Sequence, residues 1–344
     1  MVKEMLQAIM LKPGEIIYKK VDKPVPGENE VLIKIKKIGI CGSDIHVFHG
    51  VHPYTSYPIV QGHEVSGIIE NIGSLVSGFT VGDKVILVPQ VVCGECYPCR
   101  NNLYHICDSL KVMGFQTDGA AQEYVAIDKK MLLKIPENLS YEEGAMIEPV
   151  AVAVHAITRG DEVLNNKVVI LGAGPIGNLV GQVAKGLGAY SVMITDISDF
   201  RLKIAKECGI DFTINSQREN LNDSILKNFG NDKTDIIFEC VGSEETISQA
   251  ISLARKGSKI IVVGVFGKKQ CVDMGLVQDR ELSLIGTLMY QKIDFVKAVE
   301  LVGSGKIQLK RLISNEFPFL QYLNAYKYII EKKDKVMKVM VSLD

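Results

Sequence analysis

The sequence predicts an α/β protein with two domains: a β-rich domain and a doubly wound domain built on a parallel sheet. At 344 residues the chain is longer than one hydrophobic core usually supports, which favours two domains. Short β-branched runs fill the N-terminal part, whereas from Lys167 onward buried strand-like runs alternate with helical segments. That alternation is typical of a doubly wound α/β domain.

The β-rich part is marked by β-branched runs at 31–36, 67–73 and 84–88. Glycine and proline separate these runs, as they do in all-β barrels and sandwiches. After them, the segment 140–143 (Ser-Tyr-Glu-Glu) fits a capping box poorly but begins an acidic helical turn. A long apolar stretch follows at 145–157.

The doubly wound part begins with a buried strand at 167–171, a helix at 178–187 and a second strand at 191–196. Further buried strands are predicted at 235–240, 258–264 and 282–286, with helices at 201–208 and 245–254. The alternation ends near Gln291. An amphipathic helix at 295–302 and a strand at 338–341 follow it.

Composition describes an ordinary soluble globular protein: 47% hydrophobic residues, 23% charged residues and a net charge of −1. A charge near zero removes the electrostatic basis for nucleic acid or an anionic membrane as a partner. The N-terminus has no evident signal peptide, and no apolar run is long enough to predict a transmembrane helix. We therefore expect a cytoplasmic protein whose eight cysteines are metal ligands or reduced thiols.

A dinucleotide-binding turn is predicted at Gly172-Ala173-Gly174-Pro175-Ile176-Gly177, because this run follows a buried strand and begins a helix. Gly172 permits the tight turn, Gly174 lets the backbone approach a pyrophosphate, and Gly177 allows close packing of strand and helix. The alternative is a glycine turn in some other α/β protein.

Cofactor preference depends on Asp196, at the end of the second predicted strand. A carboxylate there accepts the ribose hydroxyls and repels a 2′-phosphate, which favours NAD over NADP. Arg201 lies close by in the sequence, and its guanidinium could still accommodate a phosphate.

Half of the cysteines fall within fifteen residues, with the spacing C-x2-C-x2-C-x7-C: Cys93, Cys96, Cys99 and Cys107. Four thiolates make a closed tetrahedral shell, so a zinc ion there would be structural. An iron–sulfur site is the alternative, but bacterial ferredoxin motifs end in x3-C-P, which this run lacks.

A second candidate metal site is the stretch from Cys41 to Glu64, in which Cys41, His63 and Glu64 offer the sulfur, nitrogen and oxygen that zinc accepts. Glu148, followed by Pro149, is another candidate oxygen ligand. The alternatives are a buried apolar role for Cys41, a hydrogen-bonded His63-Glu64 pair beside a turn, and helix capping by Glu148.

Together these motifs resemble the zinc-containing medium-chain dehydrogenases. The runs CGSDIH, GHE, the four-cysteine lobe, EP, GAGPIG and TD occur in the family's order over essentially the whole chain. The resemblance favours the branch of sorbitol (L-iditol), threonine, butanediol and sugar-acid dehydrogenases, because classical alcohol dehydrogenases have a cysteine where Glu148-Pro149 falls. It implies a GroES-like catalytic domain (1–155 and 292–344) and an inserted Rossmann NAD-binding domain (156–291).

The resemblance also implies roles for individual residues. Cys41 and His63 would bind the catalytic zinc, with Glu64 and Glu148 binding directly, through water or in alternate states. Asp44 would orient a ligand, while Ser43 and His46 would carry the proton to solvent. The cofactor-binding residues would be Gly172, Gly174, Pro175, Ile176, Gly177, Asp196, Arg201, Val263, Val265 and Leu288.

The implied activity is reversible oxidation of a secondary alcohol of a polyol or sugar acid to a ketone, with hydride passing to NAD. L-Threonine or a butanediol is the alternative substrate; a zinc-free quinone or enone reductase and a non-catalytic NAD-binding protein are less favoured. Leu288-Met289-Tyr290 stands where polyol dehydrogenases have Phe-Arg-Tyr, which weighs against sorbitol itself. Tyr57, Phe115, Phe266 and Met289 are candidate pocket residues, and a homo-oligomer, tetramer or dimer, is expected.

Overall fold

The computed structural model describes residues 3–343 and divides them into two compact units. The first comprises the chain up to Glu148 together with the segment from Ile313 onward, and the second is Pro149–Leu312. The sequence placed the boundaries after residue 155 and before residue 292. The structure instead keeps residues 292–312 in the second unit. The Gln308 N–H donates to Gln182 Oε1 at 2.6 Å, which ties this segment to the rest of that unit.

The strands, numbered in chain order, are β1 (Glu4–Lys12), β2 (Glu15–Asp22), β3 (Glu30–Ile40), β4 (Glu64–Ile72), β5 (Lys84–Leu87), β6 (Gln90–Val91), β7 (Lys111–Val112), β8 (Tyr124–Asp128), β9 (Leu132–Lys134), β10 (Lys167–Leu171), β11 (Ser191–Asp196), β12 (Phe212–Asn215), β13 (Ile236–Glu239), β14 (Lys259–Val262), β15 (Ser283–Gly286), β16 (Ile313–Pro318) and β17 (Lys338–Ser342).

The α-helices are α1 (Gly42–Phe48), α2 (Tyr97–Arg100), α3 (Tyr141–Ala145), α4 (Ile147–Arg159), α5 (Pro175–Gly186), α6 (Asp199–Glu207), α7 (Leu221–Phe229), α8 (Glu244–Leu253), α9 (Met274–Asp279), α10 (Lys292–Gly303) and α11 (Tyr322–Lys332). Within the described residues, no helix is both long and apolar enough to span a membrane.

The first unit is built on a mainly antiparallel sheet in the order β16-β17-β3-β4-β5-β9, with β8 also paired to β3. The C-terminal strand β17 thus lies next to β3, where Met340 pairs with Gly39. On the other side of β3, Gly39 pairs with Glu64 of β4. Residues from both ends of the chain are therefore neighbours in one sheet.

The second unit has a six-stranded parallel sheet in the order β12-β11-β10-β13-β14-β15. Numbered within the unit this order is 3-2-1-4-5-6, the Rossmann arrangement, and the order reverses between β10 and β13. The strands are buried runs such as Val168–Leu171, all with no exposed surface, because helices cover a parallel sheet on both faces.

The capping box and the start of α5 differ from what the sequence predicts. The interpretation of 140–143 as a poor capping box was wrong, since the Glu143 N–H donates to Ser140 Oγ (3.3 Å) and the Ser140 N–H to Glu143 Oε2 (2.9 Å). This reciprocal pair is the capping box itself. The helix predicted from residue 178 begins at Pro175, because proline suits a first helical turn.

Candidate metal and cofactor sites

The first cluster joins Cys41, His63 and Glu64, whose candidate ligand atoms all lie within 4.8 Å of one another. Cys41 sits between β3 and α1, and the other two residues lie at the start of the neighbouring strand β4. His63 and Glu64 are buried, whereas Cys41 is half-buried. A sulfur, a nitrogen and an oxygen that converge in this way fit the donor set of a zinc site.

Glu64 has a partner that the sequence analysis missed. Lys338 Nζ, on β17, donates to Glu64 Oε1 at 2.5 Å and to Oε2 at 2.7 Å, and it also lies 3.3 Å from the Ile40 carbonyl oxygen. The lysine crosses β3 above Gly39, where an added Cβ would come within 2.1 Å of Glu64 Oε2. The buried carboxylate is therefore neutralised by a lysine 274 positions away in the sequence.

Asp44, which the sequence predicts as an orienting group, lies beside this cluster. Its Oδ2 accepts the Cys41 backbone N–H at 2.8 Å, and its Oδ1 lies 3.5 Å from His63 Nδ1. Burial alone would lower the pKa of His63, but Asp44 and Cys41 raise that pKa well above the ordinary value. The anionic surroundings that cause this shift are also favourable for a bound cation.

Glu148 does not belong to this cluster within the described residues, although it is buried in the first turn of α4. Ser43 and His46 both lie on α1, with the serine half-buried and the histidine exposed. Their positions are compatible with the predicted proton path. The role of each of these three residues stays a prediction.

Phe115, a candidate pocket residue, lies beside His63 with ring centroids 4.9 Å apart. His52, which was not predicted as a site residue, also stacks on Phe115. The two ring centroids are 4.8 Å apart and the ring planes differ by 16°. Tyr57 uses its hydroxyl to donate to the Val47 carbonyl. No spacing rule could have singled out His52, because only the folded loop brings it onto Phe115.

The second cluster contains the four predicted cysteines, whose sulfur atoms lie within 4.8 Å of one another. Individual Sγ–Sγ distances are 3.5 Å (Cys93–Cys107), 3.8 Å (Cys96–Cys107) and 3.9 Å (Cys93–Cys99). Zn–S bonds of about 2.3 Å in a tetrahedron place sulfurs about 3.8 Å apart, so the cluster fits one zinc ion. N–H groups of Glu95 and Cys96 lower the pKa of the Cys93 thiol to about 6, which favours the thiolate that zinc binds.

The glycine turn connects β10 to α5 at the carboxyl edge of the parallel sheet. Gly172 has φ +103°, a conformation that glycine adopts without strain, and Gly174 is the N-cap of α5. A Cβ on Gly177 would lie 1.9 Å from the Gly172 carbonyl oxygen. The turn therefore fits a pyrophosphate at the N-terminus of α5, next to the point where the strand order reverses.

Asp196 ends β11 and is fixed by two backbone donors, Ala173 N–H to Oδ2 (2.8 Å) and Ser198 N–H to Oδ1 (2.9 Å). Arg201 Nη1 lies 3.8 Å from Asp196 Oδ2. The first of these bonds ties the carboxylate to the glycine turn. A ribose bound there would meet a preoriented acceptor.

The other predicted cofactor residues follow neighbouring strands of the same sheet. Val263 and Val265 come directly after β14, and Leu288 follows β15. Val265 is 76% exposed and Leu288 56% exposed, so neither belongs to the core, and their contact with the cofactor stays a prediction. Met289 beside them has a positive φ of 55°, which is uncommon for a residue other than glycine.

These features define a class of protein: a metal-binding β-rich unit and a dinucleotide-binding Rossmann unit in one chain are the parts of a zinc-dependent dehydrogenase. Comparisons with known proteins agree. Residues 27–137 match the alcohol dehydrogenase GroES-like domain, and residues 175–304 match the zinc-binding dehydrogenase domain. The chain belongs to this family of zinc-binding alcohol dehydrogenases.

Relatives cover nearly the full chain. A 2-dehydro-3-deoxy-L-galactonate 5-dehydrogenase from Pseudoalteromonas atlantica is 37% identical over 88% of each chain. A sorbitol dehydrogenase from Bacillus subtilis is 32% identical over 98% of this chain and 97% of its own. A crystal structure of the alcohol dehydrogenase RspB from E. coli CFT073 with NADH has a TM-score of 0.92 at 30% identity, covering 99% of this chain and all of that one.

Proposed function

We propose that this protein oxidises a secondary alcohol of a sugar acid or polyol reversibly to a ketone, with zinc at the Cys41 cluster and NAD on the Rossmann unit. The observation that carries the proposal is the convergence of the Cys41, His63 and Glu64 ligand atoms within 4.8 Å. Family membership and the dehydrogenase names of the relatives support it.

Cys41 and His63 would hold the catalytic zinc, with Glu64 and Glu148 as acidic members of the site. A zinc ion held there would lower the pKa of the substrate hydroxyl, as zinc lowers that of bound water to about 7. Asp44 would keep His63 in one orientation through its Oδ1. The Lys338 ion pair would hold the Glu64 carboxylate in place beside the other two ligands.

Ser43 and His46 would remove the hydroxyl proton. They are three positions apart on α1 and therefore project from the same face of the helix. Ser43 is half-buried and can exchange a proton with a buried group, while the exposed His46 can pass it to water. Histidine is the side chain most often used to pass protons near neutral pH, which suits this role.

The glycine turn would bind the pyrophosphate and Asp196 the adenosine ribose of NAD, whose nicotinamide ring accepts the hydride. Val263, Val265 and Leu288 would contact the cofactor along the carboxyl edge of the sheet. Met289, where polyol dehydrogenases have arginine, offers a substrate no hydrogen-bond donor. This weighs against sorbitol, and the relative that is named for a galactonate derivative supports a sugar acid.

We also propose that the protein is a homo-oligomer, a tetramer or dimer, that acts in the cytoplasm. The oligomer is supported by the family resemblance. The compartment is supported by the eight cysteines, none of which forms a disulfide in the structure.

The test is an NAD⁺-reduction screen of the purified protein over aldonates, polyols, diols and L-threonine. We expect turnover on at least one aldonate or polyol, measured as NADH absorbance. Cys41→Ser should abolish this turnover while NADH binding, measured by fluorescence, is retained, because the thiolate serves the metal and not the cofactor. Cys271→Ser is the matched control, since Cys271 is exposed and lies outside both cysteine-containing clusters.

Two outcomes would contradict the proposal. Full activity of Cys41→Ser would exclude Cys41 as a ligand of the catalytic metal. Turnover on L-threonine or a diol, with none on aldonates or polyols, would refute the substrate class while leaving the metal assignment intact.

A further inference from the structure

A buried hydrogen-bond chain extends from the proposed metal site to the C-terminal helix α11. Gln61 Nε2 donates to Asp44 Oδ1 at 3.2 Å, and the Tyr326 hydroxyl donates to Gln61 Oε1 at 2.9 Å. Asp44 and Tyr326 have no exposed surface, and Gln61 is 1% exposed. We propose that Gln61 and Tyr326 are positioning residues, which hold the Asp44 carboxylate, and through it His63, in the orientation needed to bind the metal.

The direction of each bond follows from the donors and acceptors available. A carboxylate only accepts, so the amide group must turn its NH₂ toward Asp44. Its carbonyl oxygen then faces away and needs a donor, which the phenol of Tyr326 supplies. Burial raises the pKa of Tyr326 well above its ordinary value, so this phenol keeps its proton. Tyr326 thereby fixes which way round the Gln61 amide lies.

The same carboxylate oxygen serves both residues. Asp44 Oδ1 lies 3.2 Å from Gln61 Nε2 and 3.5 Å from His63 Nδ1. The other oxygen is held by the Cys41 backbone N–H. The Cys41 N–H and the Gln61 amide therefore hold the Asp44 carboxylate from two sides. In this position its Oδ1 can accept the Nδ1–H of His63. This bond would leave the Nε2 lone pair for a metal.

Packing places Tyr326 where the chain of bonds requires it. Its ring stacks on Phe48, the last residue of α1, at 5.1 Å and 26°. Helix α1 also carries Asp44. Helix α11 is therefore joined to α1 in two ways: by the stacked rings of Tyr326 and Phe48, and by the hydrogen bonds that pass through Gln61. A second tyrosine on α11, Tyr328, packs instead on Phe317 of β16, with ring centroids 5.5 Å apart. Tyr328 lies outside the hydrogen-bond chain and is therefore a matched control.

The experiment measures metal retention, and it rests on the proposed function because it assumes a metal at Cys41 and His63. Zn²⁺ affinity is determined by competition with a chromophoric chelator for the wild type, Gln61→Leu, Tyr326→Phe, the double variant and Tyr328→Phe. The four-cysteine cluster on the same chain serves as an internal reference. Circular dichroism establishes that each variant is folded.

Gln61→Leu should weaken the metal site about 10-fold, since loss of a group that orients a ligand typically costs 10- to 100-fold in affinity. Tyr326→Phe should weaken it less, because the glutamine remains but its amide is no longer fixed. The double variant should be no worse than Gln61→Leu, since leucine leaves no acceptor for the phenol. Tyr328→Phe should match the wild type. In the Co²⁺ form, the visible spectrum of the site should change in Gln61→Leu, Tyr326→Phe and the double variant, and it should stay as in the wild type in Tyr328→Phe.

Wild-type affinity and an unchanged Co²⁺ spectrum in folded Gln61→Leu would overturn the inference. Strictly additive losses in the double variant would also overturn it, because the two residues would then act separately. If the wild-type chain itself bound metal at the four cysteines alone, the proposed function would fail rather than this inference.

Discussion

At the scale of single residues, Asp196 is the group on which the cofactor preference depends. Asp196→Asn removes its charge and thus its repulsion of a 2′-phosphate, while the nearby Arg201 remains. We expect the ratio of kcat/KM for NADP to that for NAD to rise at least about tenfold, equivalent to about 1.4 kcal/mol. Both values are measured on the same variant, so general weakening of the turn cancels. Arg201→Ala should lower the ratio, and a ratio unchanged in Asp196→Asn would assign the preference to another group.

Lys338 allows a prediction about stability at the same scale. Lys338→Met leaves the Glu64 carboxylate buried and unpaired, because the Lys338 ammonium donates to both of its oxygens. The free energy of unfolding should fall by about 3–5 kcal/mol. Urea denaturation in the presence of a chelator measures this loss without a contribution from metal. The double variant Lys338→Met/Glu64→Gln should recover part of it, and a loss below about 1 kcal/mol in the single variant would refute the ion pair's role.

These residues also show what the sequence can predict. Gly172–Gly177 and Asp196 were predictable because the motif and its partner lie within one strand-helix-strand unit, and the cysteines because zinc spacing is local. Lys338 was not, since its partner lies 274 positions away and a lone lysine in a strand carries no signal. Tyr326 and Gln61, 265 positions apart, were missed for the same reason. Only the register of β17 beside β3, and the packing of α11 on α1, bring such residues together.

At the scale of elements, segments interrupted by polar residues were harder to predict than the buried strands. Strand β12 (Phe-Thr-Ile-Asn) is no continuous apolar run, and helix α7 is interrupted by Asn, Asp and Ser, so neither was predicted. The strands β10, β11, β13 and β14 were evident as continuous apolar runs. Their burial on both faces leaves no alternative to a parallel sheet with helices on both sides.

The junction of β10 with α5 allows a prediction about one helix. Gly177→Ala places a methyl group 1.9 Å from the Gly172 carbonyl oxygen, so α5 must move away from the turn. We expect NADH affinity, measured by fluorescence titration, to fall at least about tenfold and stability by about 1–3 kcal/mol. Gly186→Ala on the same helix is the control, because its Cβ would meet nothing closer than Leu301 Cδ2 at 3.4 Å. Equal NADH affinity in the two variants would mean that this close approach is not required for binding.

At the scale of the whole molecule, the four-cysteine lobe differs from the rest of the chain in what holds it together. Helix α2 has no buried residue, and Tyr97, Leu103 and Ile106 around it are exposed. Apolar burial therefore contributes little to the lobe, and a metal bound by its four thiolates would supply the missing folding energy. The first unit's sheet and the Rossmann sheet, by contrast, enclose extensive apolar cores.

From this difference we predict that the four-cysteine site serves stability, whereas the Cys41 site serves catalysis. Cys96→Ser should reduce the metal content from two ions per chain to one, as measured by mass spectrometry under native conditions. It should lower the thermal midpoint by several degrees, because a loss of about 1 kcal/mol already shifts a domain of this size by about 2–4 °C. NADH affinity should stay within about twofold of the wild type, since the glycine turn lies in the other unit.

The control variant Cys271→Ser should leave the metal content and the thermal midpoint unchanged. A Cys96→Ser protein with an unaltered midpoint would show that the lobe is held by its chain alone, and the four thiolates would then need a role other than a structural one.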